Sequence, residues 1–292
     1  MKTGFRSKSL VLLVAAVLLM AALFAAGCGQ GNQDSGTPKE DPKPETPALS
    51  GTVKIAGSTS VQPISEELAN AFMAINSGVR IEVSGGGSGA GVRAAESGAA
   101  DIGAASRELK ADEIGVTGIV IAIDGIAVIV HPENPVNDLP FEDIQKIFRG
   151  EITNWSEVGG ADASIVVVNR EEGSGTRGAF HEIVVGDKNE FVSTAIIQNS
   201  TGAVREAVSN DVNAIGYISL GGINNSIKTL MVDGVEPTVE MVKAQKYPVA
   251  RPFNYVVKKD AQLSEVAQAF VDFVLSDEGQ KVVTESGLVP VK

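Results

Sequence analysis

Arg170-Glu171-Glu172-Gly173-Ser174-Gly175-Thr176-Arg177 follows the β-branched run Ile165-Val166-Val167-Val168 and leads into Ala179-Phe180-His181-Glu182-Ile183-Val184. The order is strand, glycine-rich turn, helix start. A helix N-terminus leaves about four backbone N–H groups without intrahelical partners and carries roughly half a positive charge, so small residues there let an anion rest on the amides. Ser174 and Thr176 add hydroxyl donors, while Arg170 and Arg177 add full charges. The same residues also suit an ordinary turn in which Gly supplies unusual φ and Ser or Thr caps the helix.

The construction recurs upstream. Thr52-Val53-Lys54-Ile55-Ala56 reads as a strand, Gly57-Ser58-Thr59-Ser60 as a hydroxyl-rich turn, and residues 61–76 as a helix with Pro63 in its first turn, where proline is tolerated. Residues 79–83 alternate as a strand and run into Gly85-Gly86-Gly87-Ser88-Gly89-Ala90-Gly91, before a helical stretch over 92–97. Ligands in open α/β sheets gather at the carboxyl ends of strands, so three such turns predict one crevice that takes an anion. Close behind, Asp101-Ile102-Gly103-Ala104-Ala105-Ser106-Arg107 sets an acid, a hydroxyl and an arginine around a short apolar strand. By residue type alone, Asp101 caps or braces a turn.

The N-terminal segment has the build of a secretory signal: Lys2, Arg6 and Lys8, an apolar run over 10–26, then Gly27-Cys28. The run sits at the short limit for a spanning helix, roughly 17–25 residues. Cys28 is the only cysteine of the 292 residues, which excludes an intrachain disulfide and a cysteine-based metal cluster. Its position, after Ala25-Ala26-Gly27, resembles the acceptor of a bacterial lipoprotein. Residues 29–50 hold four prolines among Asp, Glu, Lys, Gln and Gly, the composition of a disordered tether. Removing residues 1–27 takes away three positive charges and no acid, moving the formal charge from −12 to −15. Such a chain is a poor partner for nucleic acid or anionic lipid, so an anion must be drawn by local dipoles and a few arginines.

From residue 51 the chain alternates strands and helices, which implies α/β with mixed, mainly parallel sheets and flanking helices. Residues 116–130 are apolar almost throughout and broken by Asp124-Gly125, as in a doubly buried strand pair. The first crossing between two lobes is placed near Asp124 and the second at the proline-bounded segment 247–252. The domain plan is therefore a signal peptide over 1–27, a tether over 28–50, lobe 1 from 51–124 plus 248–292, and lobe 2 from 125–247. Two crossings with both ends in one lobe describe a two-lobed clamshell. Trp155, the only tryptophan, reads as a packing anchor.

With these residues assembled, the chain resembles the phosphate-binding receptors of ABC importers, of periplasmic-binding-protein type II. The matching stretches are Ala56 through Pro63, Gly87-Ser88-Gly89-Ala90-Gly91, Asp101, Ile147 through Trp155, Arg170 through Thr176, and Leu275-Ser276-Asp277-Glu278-Gly279-Gln280. The resemblance implies that phosphate lies against Thr59, Ser60, Ser88, Asp101, Arg170, Ser174, Gly175 and Thr176, and Ser58 joins them from the same hydroxyl-rich turn. Two departures stand out: Ser60 replaces an aromatic residue of some members, and Glu172 replaces a shorter acid. The implied protein is a lipid-anchored extracytoplasmic monomer that binds inorganic phosphate between its lobes. It would hand that ligand to the permease and ATPase subunits of an importer, with neither cofactor nor metal. Asp101, an acceptor-only carboxylate, would take the proton that phosphate carries and sulfate lacks.

A receptor for sulfate, molybdate or tungstate is the neighbouring alternative, and a secreted hydrolase the alternative of another class. The hydrolase finds little support: G-x-x-x-x-G-K-[ST] is absent, Ser88 and Ser174 lack the G-x-S-x-G frame, and only His131 and His181 are available. Gly89-Ala90-Gly91-Val92-Arg93-Ala94 satisfies G-x-G-x-x-A, a pattern that arises readily by chance in a glycine-rich stretch.

Overall fold

The computed structural model describes residues 49–292. The expected signal segment 1–27, Cys28 and nearly all of the expected tether lie outside the described residues. Strand β1 (Ser50–Gly57) begins the domain, and α1 (Gln62–Ile75) follows with its proline in the first turn. Next come β2 (Gly78–Gly85), α2 (Ser88–Ser97) and β3 (Ile102–Ala105), with β1 parallel to both neighbouring strands. Helix α2 starts earlier than the sequence suggests, so Gly89, Ala90 and Gly91 form its opening turns.

Strand β4 (Val116–Val130) is one continuous strand of 15 residues, where the sequence suggested a pair interrupted at Asp124-Gly125. Asp124 stays in the strand because its carboxylate is satisfied there, accepting the Leu220 N–H at 3.1 Å and pairing with Arg251. The chain then passes through β5 (Asp138–Leu139), α3 (Phe141–Arg149), β6 (Val166–Arg170) and α4 (Gly175–Phe180). A wider turn over His181–Val185 extends α4, and β7 (Ile196–Gln198), α5 (Thr201–Ser209) and β8 (Ala214–Ser219) follow. Short β9 (Lys228–Thr229), β10 (Met231–Val232) and α6 (Val239–Lys243) lead to the returning strand β11 (Ala250–Lys258). Helices α7 (Glu265–Val274) and α8 (Asp277–Glu285) close the fold.

The main sheet runs β2-β1-β3-β11-β4-β8-β6-β7, with β9 beside β4. Its pairing is parallel towards both ends and antiparallel in the middle, where β11 lies between β3 and β4 and where β4 meets β8. Two large hydrophobic cores flank that middle, with two smaller clusters beside them among the described residues. One gathers Val53, Ile55, Leu68, Phe72, Phe253, Phe270 and Val283. The other gathers Ile126, Val128, Phe148, Trp155, Phe180, Tyr217 and Val249. Trp155 is a packing anchor, fully buried with its indole N–H donated to the Asn213 carbonyl at 2.9 Å.

Strands β4 and β11 serve both cores: Ile121, Ala122 and Phe253 belong to the first, Ile126 and Val128 to the second, with the partly buried Ala250 of β11 packed against it. Between these groups the register sets Arg251 opposite Asp124, a charged step on an otherwise apolar crossing. The result is a two-lobed α/β protein. Among the described residues, no helix is long and apolar enough to cross a membrane.

Candidate anion-binding site

Four strands bring their carboxyl ends to the same place: β1, β2 and β3 run parallel to one another, and β6 points at them from the opposite direction. The turn after β1 carries Ser58, Thr59 and Ser60, the turn after β2 carries Ser88, β3 is followed by Ser106, and β6 ends on Arg170 with Thr176 just beyond. Their hydroxyls form one network. Ser58 Oγ donates to Ser106 Oγ at 2.8 Å and accepts the Ser60 N–H at 3.2 Å. Ser60 Oγ lies 2.8 Å from both Thr176 Oγ1 and Thr201 Oγ1. Ser88 Oγ accepts the Ser106 N–H at 3.1 Å, and Ser106 Oγ lies 3.4 Å from Thr176 Oγ1.

Arg170 enters the network from one side. Its Nη1 donates to Thr201 Oγ1 at 3.4 Å and its Nη2 to Thr59 Oγ1 at 3.3 Å. Glu171 grips the same guanidinium through both carboxylate oxygens, at 2.9 Å to Nε and 2.9 Å to Nη2. On the other side Arg251 Nη2 donates to Thr176 Oγ1 at 3.0 Å while Nη1 pairs with Asp124. Burial raises the Asp124 carboxyl and lowers the Arg251 guanidinium from their ordinary values, and the opposite charge of each partner counters this.

The glycines permit these contacts. Gly87 adopts a φ of 86°, and a Cβ there would lie 3.0 Å from the Gly173 carbonyl oxygen, so the β2–α2 turn can touch the β6–α4 turn. Gly89 N–H closes that contact on the same oxygen at 3.1 Å. A Cβ at Gly175 would collide with Ser88 Oγ and come within 2.8 Å of Ser106 Oγ. A cleft of about 700 Å³ opens beside the network, with Arg93, Arg107 and Glu113 on one wall and Glu172, Ser174 and Arg177 on the other.

Of the residues singled out in the sequence, Ser58, Thr59, Ser60, Ser88, Arg170 and Thr176 are brought together, with Gly175 packed against them. Ser174 caps α4 instead, its Oγ accepting the Arg177 N–H at 3.1 Å. Asp101 stands apart, a correction to its place in the expected site. It is exposed, and its carboxylate accepts the Lys54 N–H at 2.8 Å. Asp101 precedes β3, whereas Ser106 follows it; the four residues of the strand lie between them, so the two stand about 16 Å apart along the chain. The role it fills is that of a turn brace.

Hydroxyls both donate and accept, so a bonded group of them can turn several donors at once towards an acceptor-only oxyanion, with two guanidinium forks behind them. A family model described as a PBP superfamily domain matches residues 42–278. The chain belongs to the PBP superfamily. Within it, the phosphate-binding protein PstS of Bacillus subtilis is 33% identical over 285 residues, covering 94% of this chain and 93% of that protein. The X-ray structure of a substrate-binding protein with bound phosphate from Clostridium perfringens has 46% identity and a TM-score of 0.80, covering 83% of this chain and 100% of that one. An ABC-type phosphate transport receptor from Vibrio cholerae has 33% identity and a TM-score of 0.67, covering 81% and 99%.

Sequence reasoning missed Thr201, Arg251 and the site role of Ser106 and Asp124. Ser106 belongs to the same short segment as Asp101, and its place directly after a strand is the local signal for it. Thr201 opens α5 after the N-cap Ser200, a fourth strand-to-helix turn without a glycine run before it. Nothing local marks Arg251.

Proposed function

We propose that this protein is the extracytoplasmic phosphate receptor of an ABC importer, closing on inorganic phosphate between lobe 1 (51–124 plus 248–292) and lobe 2 (125–247). The observation that carries the reading is the buried network of Ser58, Ser60, Ser88, Ser106, Thr176 and Thr201, flanked by two arginines whose charges are balanced by Glu171 and Asp124. Such a site offers hydrogen bonds in every direction without a large net charge, which suits a small anion that must be released again. The partners are phosphate and the permease and ATPase subunits, with the receptor acting as a monomer and no nucleic acid involved. Turnover is no part of the reading: His181 Nε2 lies 2.8 Å from the Asn189 carbonyl and His131 Nδ1 accepts the Glu133 N–H, so neither imidazole serves the serines.

One observation favours a second reading, a receptor for another tetrahedral oxyanion such as sulfate, molybdate or tungstate. Asp101 lies off the network, and the two carboxylates that border it, Glu171 and Asp124, have both oxygens already engaged, so neither is free to demand a protonated ligand. Calorimetric titration with phosphate, sulfate, molybdate and tungstate separates the two: phosphate bound most tightly supports the first, and a tighter competitor replaces it.

Attachment is to the outer face of the cell membrane through lipid on Cys28. Two acyl chains anchor stably where a single chain binds marginally. Cys28→Ser releases the protein into the soluble fraction on membrane fractionation; unchanged retention in high salt rejects the anchor.

A further inference from the structure

We propose that Arg251 is a second oxyanion-gripping guanidinium, facing Arg170 across the hydroxyl network, and that Asp124 is the positioning residue that holds it there. The inference rests on the anion-receptor reading above and assigns the site a residue outside its strand–turn–helix units.

The geometry starts from one continuous path. Arg170 Nη1 reaches Thr201 Oγ1 at 3.4 Å, Thr201 Oγ1 lies 2.8 Å from Ser60 Oγ, Ser60 Oγ lies 2.8 Å from Thr176 Oγ1, and Arg251 Nη2 reaches Thr176 Oγ1 at 3.0 Å. An oxyanion taking donors from the central hydroxyls therefore has a guanidinium at either end. Arg251 is buried, and its Nε is a buried donor with no hydrogen-bond partner in the protein. Guanidinium presents five donors in a rigid fork, and a bare brace for Asp124 would use only one edge of it. Phe253 stacks against the group, 4.8 Å from ring centre to the guanidinium carbon, and limits how far it can swing.

The place of the pair in the fold gives it a second property. Asp124 and Arg251 are register partners on β4 and β11, where both strands pass from one hydrophobic core to the other. Thr176, the hydroxyl that Arg251 holds, belongs to the α4 turn. Arg251 thus ties the crossing strands to the ligand-facing turn, and its grip on an anion acts where the two lobes meet.

The test compares the full chain with Arg251→Lys and with the double variant Arg251→Gln plus Asp124→Asn, which removes both charges and keeps hydrogen-bonding groups of similar shape. Each is titrated with phosphate, sulfate, molybdate and tungstate, and melted without ligand. The double variant should melt close to wild type yet bind phosphate at least tenfold more weakly, with Arg251→Lys between them. In wild type, the Arg251 Nε–H resonance should shift on adding phosphate, a readout that needs no variant to fold. Binding within twofold of wild type in the folded variants, or an unmoved Nε–H resonance, overturns the proposal and leaves Arg251 as a brace. If wild type binds phosphate and the variants bind it equally, only this proposal falls; if wild type takes none of the four anions, the receptor reading falls with it.

Discussion

Two arginine–carboxylate pairs border the same network and are built in opposite ways. Arg170 and Glu171 are neighbours in the chain, and the Glu171 side chain keeps 28% of its surface exposed. Arg251 and Asp124 are separated by 127 positions, and their side chains are 2% and 0% exposed. The first pair needs only a turn; Arg170 is itself only 2% exposed, but water reaches Glu171 and can take over from the arginine. The second exists only when β4 and β11 are in register, and losing one partner strands the other charge in a dry interior. Ligand affinity and fold stability are therefore divided unequally between two superficially similar ion pairs.

The sharpest way to break the contrast is Arg251→Met. It leaves Asp124 buried and unpaired, and should cost about 3–5 kcal/mol of stability in urea denaturation. Adding Asp124→Leu should recover most of that loss; no recovery would mean that the stranded charge is not the cause. Arg170→Ala should do the reverse. Phosphate binding weakens by about 2–5 kcal/mol where the charge contact is desolvated, while stability falls by no more than about 1 kcal/mol because Glu171 relaxes into water. Arg170→Lys should fall between wild type and the alanine variant, since an ammonium cannot reproduce the planar fork.

Asp101→Asn sharpens the contrast from outside the site. The phosphate-to-sulfate ratio in competition binding should not move, and stability should drop by at most about 1 kcal/mol through the weakened bond to the Lys54 N–H. A change in that ratio would return Asp101 to the site. The smallest effect is one of pH. Burial pulls the Glu113 carboxyl upward, but the Arg107 hydrogen bond, the Lys110 N–H and the positive charge of both residues bring it below its ordinary value. A depressed carboxyl contributes stability above the ordinary range and loses it as pH falls through the folded value. Glu113→Gln should therefore flatten the acid limb of melting temperature against pH, measured from about pH 6 to about pH 3.

How much of this was legible in the sequence follows the same division. The turns at Ser58–Ser60, Gly85–Gly91 and Arg170–Thr176 announce themselves because hydroxyls, glycines and the adjoining strand lie within a few residues. Asp101 was misplaced although chain order places it: it precedes Ile102 and so sits at the amino end of β3, opposite the carboxyl ends from which Ser58, Ser88 and Ser106 follow. Thr201 carries the same chemistry on a turn with one glycine, Gly202, behind it. Arg251 had no local signature at all, since its partner and its target, Asp124 and Thr176, reach it only through sheet register. The unbroken run of β4 through Asp124 was hidden for that reason too.

The two cores also differ in when they can exist. The core around Val53 and Ile55 includes Phe253, Phe270, Val283 and Leu288, so it cannot close until nearly the whole chain has been made. The other draws all its buried members but Val289 from residues 126–249. A chain released from its N-terminus onward therefore completes the inner lobe's sequence first, while β1 and β2 wait about two hundred residues for the strand that seals them. Truncation near the C-terminus strikes the lobe whose synthesis begins first and ends last.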